Sequence, residues 1–352
     1  MEVDFLRNQH VKFFKRCLLM LPNGLRSLDT SRLTVVYFAI SGLDLLNALD
    51  EIESEREPII DWIYSLQLLP DLNGSNLNRC GFRGSNAIGN SLNVKKPGNI
   101  NNYDSAHIAM TYTGLASLII LGDDLSRVNR LALIEGVRAL QQPDGSFCPV
   151  IDESENDMRF VYCAACICYI LQDWSAMNIP KVIEYIQKSV TYEGGIAQGP
   201  GLEAHGGPTF CAVATLSLMG KLSVALNSNQ LAKLRRWCIF RQEGGFQGRP
   251  NKPADTCYSF WIGATLKILD SYSFVNEEEN MKFILSTQDP ITGGMAKWPD
   301  TIPDPLHTYM GISGMSLMDI EGLIPVYPAL NISLRATKRL YNIHEQWKSA
   351  DR

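Results

Sequence analysis

Long apolar runs are missing from this 352-residue sequence. None approaches the ~20 consecutive residues needed to cross a bilayer, and no transmembrane segment is expected. The first residues, MEVDFLRNQHVKFF, hold no apolar stretch of the kind a secretory leader needs. Positive charge is not in excess either. Lys and Arg total 32 against 37 Asp and Glu, a net charge of −5, which speaks against a nucleic-acid-coating protein but leaves room for a local basic pocket. Glycine (27) and proline (17) stay near average and apolar residues make up 45%, so collagenous, low-complexity and disordered classes are excluded and a sizeable core is possible. Nine cysteines, an odd number spread along the chain, fit a reduced, cytoplasmic protein better than a disulfide framework. Strand patterns are few.

What is present is self-similarity. Six segments begin with an aromatic residue followed by small and apolar positions: YFAISGLDLL from Tyr37, YTGLASLIIL from Tyr112, YCAACICYIL from Tyr162, FCAVATLSLM from Phe210, FWIGATLKIL from Phe260 and YMGISGMSLM from Tyr309. From Tyr112 onward the spacings are 50, 48, 50 and 49, the signature of a repeat architecture. A Gly-containing turn precedes each of the last four segments, at Asp144-Gly145-Ser146-Phe147, Gly194-Gly195, Gly244-Gly245 and Gly293-Gly294. Ahead of each turn lies an i, i+3, i+4 apolar pattern such as Ile183/Ile186/Val190. Each repeat therefore reads as helix, Gly turn, loop, helix. The longer interval of 75 between Tyr37 and Tyr112 places an irregular inserted loop at about 71–102, which holds nine Asn. A first helix is expected on the Leu6/His10/Phe13/Phe14/Cys17/Leu21 pattern and a last one over Leu334–Trp347. The whole chain, 1–352, reads as one all-α domain of six helical hairpins. Neither end is markedly more polar than the middle, as an open array would require, which favours a closed ring.

Reactive side chains recur two to five positions ahead of the aromatic: His107, Asp157 and Arg159, His205, Asp255 and Cys257, and His307. Three of the five histidines fall in this window. Equivalent positions in stacked repeats lie on one side, so these groups are expected to converge at the inner helices' N-terminal end. Asp304-Pro305 marks such a start. Free N–H groups and the helix dipole there favour an anion or a thiolate. Asp255, Cys257 and His307 offer a carboxylate, a thiol and an imidazole, and three protein ligands with an open fourth position is the catalytic zinc pattern. Residues at i and i+2 point about 200° apart on a helix, so Asp255 and Cys257 share a metal only at its irregular start. Other readings stay open on spacing alone: Asp255 as an N-cap, Cys257 as a small buried residue, His307 as a hydrogen-bonded core residue.

His205, Arg249, Lys252 and Lys297, with Tyr258 nearby, form a cationic group at the same end and point to a phosphate or diphosphate; ordinary surface charge is the plain alternative. Phe38, Trp261, Phe260, Tyr162 and Tyr309 recur on the inner helices, where they are either core or the lining of an apolar pocket. The Cys163/Cys166/Cys168 trio reads as packing.

GRPNKPADTCYSFW (Gly248–Trp261), GLEAHGG (Gly201–Gly207) and GGMAKWPDTIPDPLHTY (Gly293–Tyr309) resemble the β subunits of protein prenyltransferases, over nearly the whole chain. SNLNRCGFRGS (Ser75–Ser85), LGDDLSRVNR (Leu121–Arg130) and SENDMRFVYCA (Ser154–Ala164) are similar to the type I geranylgeranyl-transferring branch. The resemblance implies a closed α/α barrel, or toroid, and a heterodimer with a helical-repeat α subunit. It implies one zinc ion on Asp255, Cys257 and His307, and transfer of geranylgeranyl from geranylgeranyl diphosphate to the cysteine of C-terminal C-a-a-X motifs, as on small GTPases.

By the same resemblance His205, Arg249, Lys252, Tyr258 and Lys297 hold the diphosphate and Arg159 anchors the peptide near its C-terminus. Thr34 stands where the farnesyl relative has a bulky Trp and leaves room for a fourth isoprene unit. Phe38 and Trp261 line the lipid pocket, and Leu306 replaces a Tyr before the zinc histidine. Lys297 replaces an Asp tied to magnesium use, which implies that magnesium is dispensable. The Rab-type and farnesyl relatives share much of the zinc motif and remain alternatives. A terpene-cyclase-like barrel is a further one, but the Asp-x-Asp-Asp cluster of those enzymes is not found.

Overall fold

The computed structural model describes residues 4–21, 23–87, 104–151 and 155–350. Six inner helices carry the six aromatic segments: Arg32–Leu45, Ile108–Leu121, Met158–Leu171, Gly206–Leu218, Thr256–Ile268 and Pro305–Ser316. Each packs on the next, and the sixth packs back on the first, so the array closes into a ring. Nearly every inner-helix position is buried, which explains their all-round apolar and small-residue composition. An amphipathic outer helix precedes each inner one: Arg7–Leu19, Arg56–Ser65, Arg130–Ala139, Ile179–Ser189, Ser228–Ile239 and Glu277–Ser286. The architecture is the expected all-α toroid of six hairpins. Among the described residues, sheet is confined to three two-residue antiparallel pairs.

The outer layer has a signal that the aromatic register does not reveal. Asn129, Asn178, Asn227 and Asn276 cap four successive outer helices, each side chain accepting an amide three residues on. Gly145 shows why the intervening turns need glycine. Its φ is +97°, and a Cβ there would stand 2.2 Å from the Lys181 carbonyl oxygen of the next repeat. The seam between the last and first repeats is closed by His10, whose Nδ1 accepts from Gly294 N at 3.0 Å while Nε2 meets Gln288 Oε1 at 2.9 Å.

Two neighbouring contacts consume the amides at the start of the inner helices. The first amide of four of them donates to a carbonyl in the following repeat, Ile108 to Pro149, Met158 to Gln198, Gly206 to Gly248 and Thr256 to Lys297, and in the first helix the second amide does so, Leu33 to Gly84. A second is taken by the N-cap side chain of each helix from the second to the sixth, namely His107, Asp157, His205, Asp255 and Asp304. The expectation of free N–H groups at this end is therefore corrected for two amides in each of the second to fifth inner helices. The dipole remains, but anion binding there has to rest on side-chain cations.

The opposite end of the ring is filled. A hairpin pairing Val326–Tyr327 with Ile332–Ser333 enters from the inner helices' C-termini, tied to the first one through Ile324 N to Leu45 O (2.8 Å) and Ser333 Oγ to Asp44 Oδ2 (2.5 Å). The last helix, Leu334–Ala350, runs three residues beyond the expected Trp347 and closes over this end: His344 reaches the Ile170 carbonyl and Arg339 the Ile120 carbonyl. No described helix is long and apolar enough to cross a membrane. Of the inserted loop, Asp71 to Ala87 is held by short-range bonds such as Ser75 N to Asp71 Oδ1 at 2.7 Å, and the remainder lies outside the described residues.

Candidate active site

The open end of the ring gathers the reactive side chains. Asp255 is the N-cap of its helix with extended backbone (φ −141°, ψ 133°), and Cys257 lies in the first turn. That break from helical geometry removes the 200° obstacle and lets both side chains face one point. His307, in the first turn of the next inner helix, completes the group. The three ligand atoms lie within 4.8 Å of one another. Cys257 Sγ donates to Asp255 Oδ1 at 2.8 Å, and His307 Nε2 stands 3.4 Å from the same oxygen. Asp255 is thus both the cap, accepting from Cys257 N at 3.0 Å, and a member of the cluster. The cap reading holds, and it leaves the carboxylate within the cluster.

Burial and charge shape the three groups differently. Burial, and then the Asp255 carboxylate, push the Cys257 thiol well above its ordinary pKa. Burial opposes charge on His307, but hydrogen bonds and charge from Asp255 and Asp304 outweigh it and raise its pKa to about 9. Burial also works against the Asp255 anion, yet its bonds to His307 and Cys257 hold its pKa below the usual carboxylate value. The donor set of one sulfur, one nitrogen and one oxygen fits zinc with a fourth position open. Displacing the thiol and imidazole protons would ready all three ligands for a divalent cation.

Asp304 is the functional neighbour that the sequence reading treated only as a helix cap. Its Oδ1 accepts from His307 N at 3.0 Å and its Oδ2 meets His307 Nδ1 at 2.5 Å. This fixes the ring so that Nε2 faces Asp255 and Cys257, the usual second partner of a metal-binding histidine. Its signal was present in the register: Asp304 precedes Tyr309 by five, as Asp255 precedes Phe260.

The cationic group is brought together unevenly. His205 Nδ1 accepts from Gly207 N at 3.1 Å, so in the neutral ring Nε2 carries the proton and donates to Tyr258 Oη at 3.2 Å. That leaves the Tyr258 O–H free to donate elsewhere. Lys297 Nζ lies 3.8 Å from Asp255 Oδ2 and over the Trp298 ring, which places it at the metal-ligand cluster itself. Arg249 pairs with Glu203 at 2.9 Å on the rim, and Lys252 is exposed in the same loop. Arg159 is paired with its own cap, Nε standing 3.0 Å from both Asp157 carboxylate oxygens, and with Glu155.

Thr34, Phe38, Tyr258, Trp261 and Leu306 are among the half-buried positions on otherwise buried inner helices, as a pocket lining requires. Trp261 packs edge-on to Tyr258 with centroids 5.3 Å apart. Cys163, Cys166 and Cys168 are fully buried mid-helix, their thiols pushed up chiefly by burial.

The prenyltransferase alpha-alpha toroid domain matches residues 5–332. The chain is 41% identical to geranylgeranyl transferase type-1 subunit beta of Dictyostelium discoideum, covering 92% of this chain and 94% of that protein. It is 38% identical to the subunit of the same name from Arabidopsis thaliana, covering 95% and 90%. The solved structure of Candida albicans protein geranylgeranyltransferase-I complexed with GGPP superposes with a TM-score of 0.86 at 25% identity, over 97% of this chain and 99% of that one. The chain belongs to the prenyltransferase alpha-alpha toroid family, as a relative of the geranylgeranyl transferase type-1 beta subunits.

Proposed function

We propose that this chain is the catalytic β subunit of a zinc-dependent, cytoplasmic protein geranylgeranyltransferase type I. It moves geranylgeranyl from geranylgeranyl diphosphate to the cysteine of C-terminal C-a-a-X sequences, X being mainly Leu or Phe. The observation that carries this reading is the meeting of Asp255, Cys257 and His307 at the mouth of a ring whose relatives are named for that activity. Asp255, Cys257 and His307 would hold a zinc ion, which would supply a Lewis acid able to lower the pKa of a substrate thiol toward neutral.

The rest of the chemistry belongs to the chain's own groups. The substrate thiolate attacks C1 of the lipid, the C1–O bond breaks, and diphosphate leaves with the electron pair. His205, Arg249, Lys252, Tyr258 and Lys297 neutralise the charge that grows on it. Lys297, which by the resemblance replaces an Asp tied to magnesium use, carries an ammonium 3.8 Å from Asp255 Oδ2 that could neutralise the diphosphate directly, which supports independence from magnesium. Thr34, Phe38 and Trp261 take the apolar tail, Leu306 borders the peptide, and Arg159, half exposed, faces the peptide's C-terminal end. Large apolar side chains stand out on the loops around the mouth, with Tyr192 92%, Ile291 90% and Ile302 89% exposed, which supports an α subunit covering this rim.

The test co-expresses the chain with a prenyltransferase α subunit and lets geranylgeranyl and farnesyl diphosphate compete for peptides ending in Leu or Ser. Geranylgeranyl transfer to the Leu peptide is expected. Preference for farnesyl with the Ser peptide would move the chain to the farnesyl branch, and no peptide transfer without a Rab escort would move it to the Rab-type branch.

A further inference from the structure

The six repeat aromatics form a layer across the ring, with centroid distances of 5.8 Å for Tyr37–Tyr112, 5.7 Å for Tyr112–Tyr162, 5.2 Å for Tyr162–Phe210, 5.3 Å for Phe210–Phe260 and 5.5 Å for Tyr37–Tyr309. The layer is chemically lopsided: four members carry a hydroxyl and two, adjacent in the ring, do not. The four hydroxyls all donate to the tip of the hairpin that enters from the far end. Tyr162 reaches the Ala329 carbonyl (3.2 Å), Tyr112 that of Leu330 (2.8 Å), and Tyr37 and Tyr309 both reach that of Asn331 (2.5 and 2.6 Å). Ser41 Oγ adds a bond to Tyr309 Oη at 2.7 Å. Ala329, Leu330 and Asn331 are almost fully buried, so these hydroxyls are what their carbonyls have in place of water.

This tip lies directly behind the wall of the apolar pocket. Phe38, half-buried at the cavity side, packs on Tyr37 and Tyr309 with centroids 5.6 and 5.7 Å apart. Thr34, where the resemblance puts the room for a longer lipid, is one helical turn before Phe38. The N-cap side chains stand only five residues, about 7 Å of helix rise, ahead of the aromatic layer. The cavity is therefore a shallow cup, and the hydroxyl-pinned hairpin tip backs its floor.

We infer that Tyr37 and Tyr309 are positioning residues for lipid length: by pinning the Asn331 carbonyl they fix the floor that the far end of the isoprenoid meets. This rests on the transferase reading above. Removing both hydroxyls leaves the carbonyl without partners and lets the tip retreat, deepening the cup where the tail ends.

The double variant Tyr37→Phe/Tyr309→Phe, in the full heterodimer, is assayed on one Leu-ending peptide with C15, C20 and C25 prenyl diphosphates. The expected result is a rise of roughly tenfold in the C25/C20 ratio of kcat/KM, the scale on which an apolar pocket discriminates added methylenes, with the C15/C20 ratio unchanged. A purely structural role would lower all three lipids alike, so an unchanged C25/C20 ratio in the folded variant overturns the inference. If the double variant does not fold, Tyr309→Phe alone, in which Tyr37 still holds the carbonyl, is expected to shift the ratio by a smaller factor in the same direction; no shift again overturns it. A parent heterodimer that transfers no lipid at all brings down the transferase reading itself.

Discussion

Asp157 and Asp255 hold the same place in two inner helices, and they have been put to opposite uses. Each caps its helix from an extended backbone, each is buried (3% and 5% exposed), and each accepts the amide two residues on, at 2.8 and 3.0 Å. At 157 the chain supplies its own cation, because the residue two on is Arg159, and Gln198 Nε2 donates from the neighbouring repeat at 2.7 Å. At 255 the residue two on is a thiol, and the nearby positive groups are a histidine and a lysine 3.8 Å away. A buried carboxylate needs a counter-charge or enough hydrogen-bond donors to replace water. Where the chain provides one in the same turn, the position is closed; where it provides protonated ligands instead, the position is open to a metal ion.

The sharpest way to break this contrast is Cys257→Ala. Bound zinc is expected to fall from one ion per chain to none, measured by elemental analysis of the purified heterodimer, and turnover to vanish with it. The metal-free fold should change by no more than about 1 kcal/mol, because a small buried thiol is exchanged for a methyl group. Retained zinc with full activity would mean that the metal sits away from this cluster, and Asp255 would then be no more open than Asp157. A milder probe is Asp304→Asn. Asparagine still caps the His307 helix, but the charge that orients the imidazole is gone, and zinc affinity in a chelator competition should weaken roughly 10- to 100-fold. Unchanged affinity would reduce Asp304 to a cap.

The contrast was partly legible in the sequence. The aromatic register, the Gly turns and the six-hairpin ring follow from a period of about fifty, because each repeat buries the same face against its neighbour. Asp255, Cys257 and His307 stand out by residue type and shared register, which also puts Asp255 and Cys257 at the irregular helix start where both can face one point; the extended backbone of the Asp255 cap is that irregularity. Asp304 was seen only as a cap because nothing in a linear reading shows which way a histidine ring turns. The loss of the free helix-start amides was hidden for a similar reason: the carbonyls that take them lie some forty to fifty residues later in the chain. The hairpin tip at Ala329–Asn331 falls outside the repeat altogether, and its three carbonyls carry no side-chain signal.

His107 is a third solution to the same cap position, and it sharpens the contrast through pH. Its Nδ1 accepts from Ala109 N at 3.1 Å, which only an imidazole unprotonated at that nitrogen can do. Burial, aided by the Arg159 charge and opposed by Glu155, lowers its pKa to about 4. The unfolded chain takes up this proton near 6.5 and the folded chain only near 4. The contribution is therefore complete above about 6.5 and is lost as pH falls toward 4. It amounts to something on the order of 2 kcal/mol once partial exposure is allowed for. Thermal melts should show the parent losing stability relative to His107→Asn, whose amide caps without titrating here, as pH drops through this window. Parallel curves would mean that His107 does not cap in solution.

The smallest effect is expected where the chain closes its own site. Arg159 is half exposed while its partner Asp157 is buried, and such a pair contributes little to stability because water screens the exposed end. Arg159→Gln should shift unfolding by under about 1 kcal/mol, since Gln198 and the Arg159 backbone amide still serve the Asp157 carboxylate. If the outward face of the guanidinium holds the peptide's C-terminal end, the KM for peptide should rise by about tenfold, the loss of one charge-assisted bond, while zinc content and kcat stay as they were. A large loss of stability without a change in peptide KM would make Arg159 solely the counter-ion of Asp157. The two caps would then differ only in whether the counter-charge is covalently part of the chain, and the third repeat would have no share in substrate recognition.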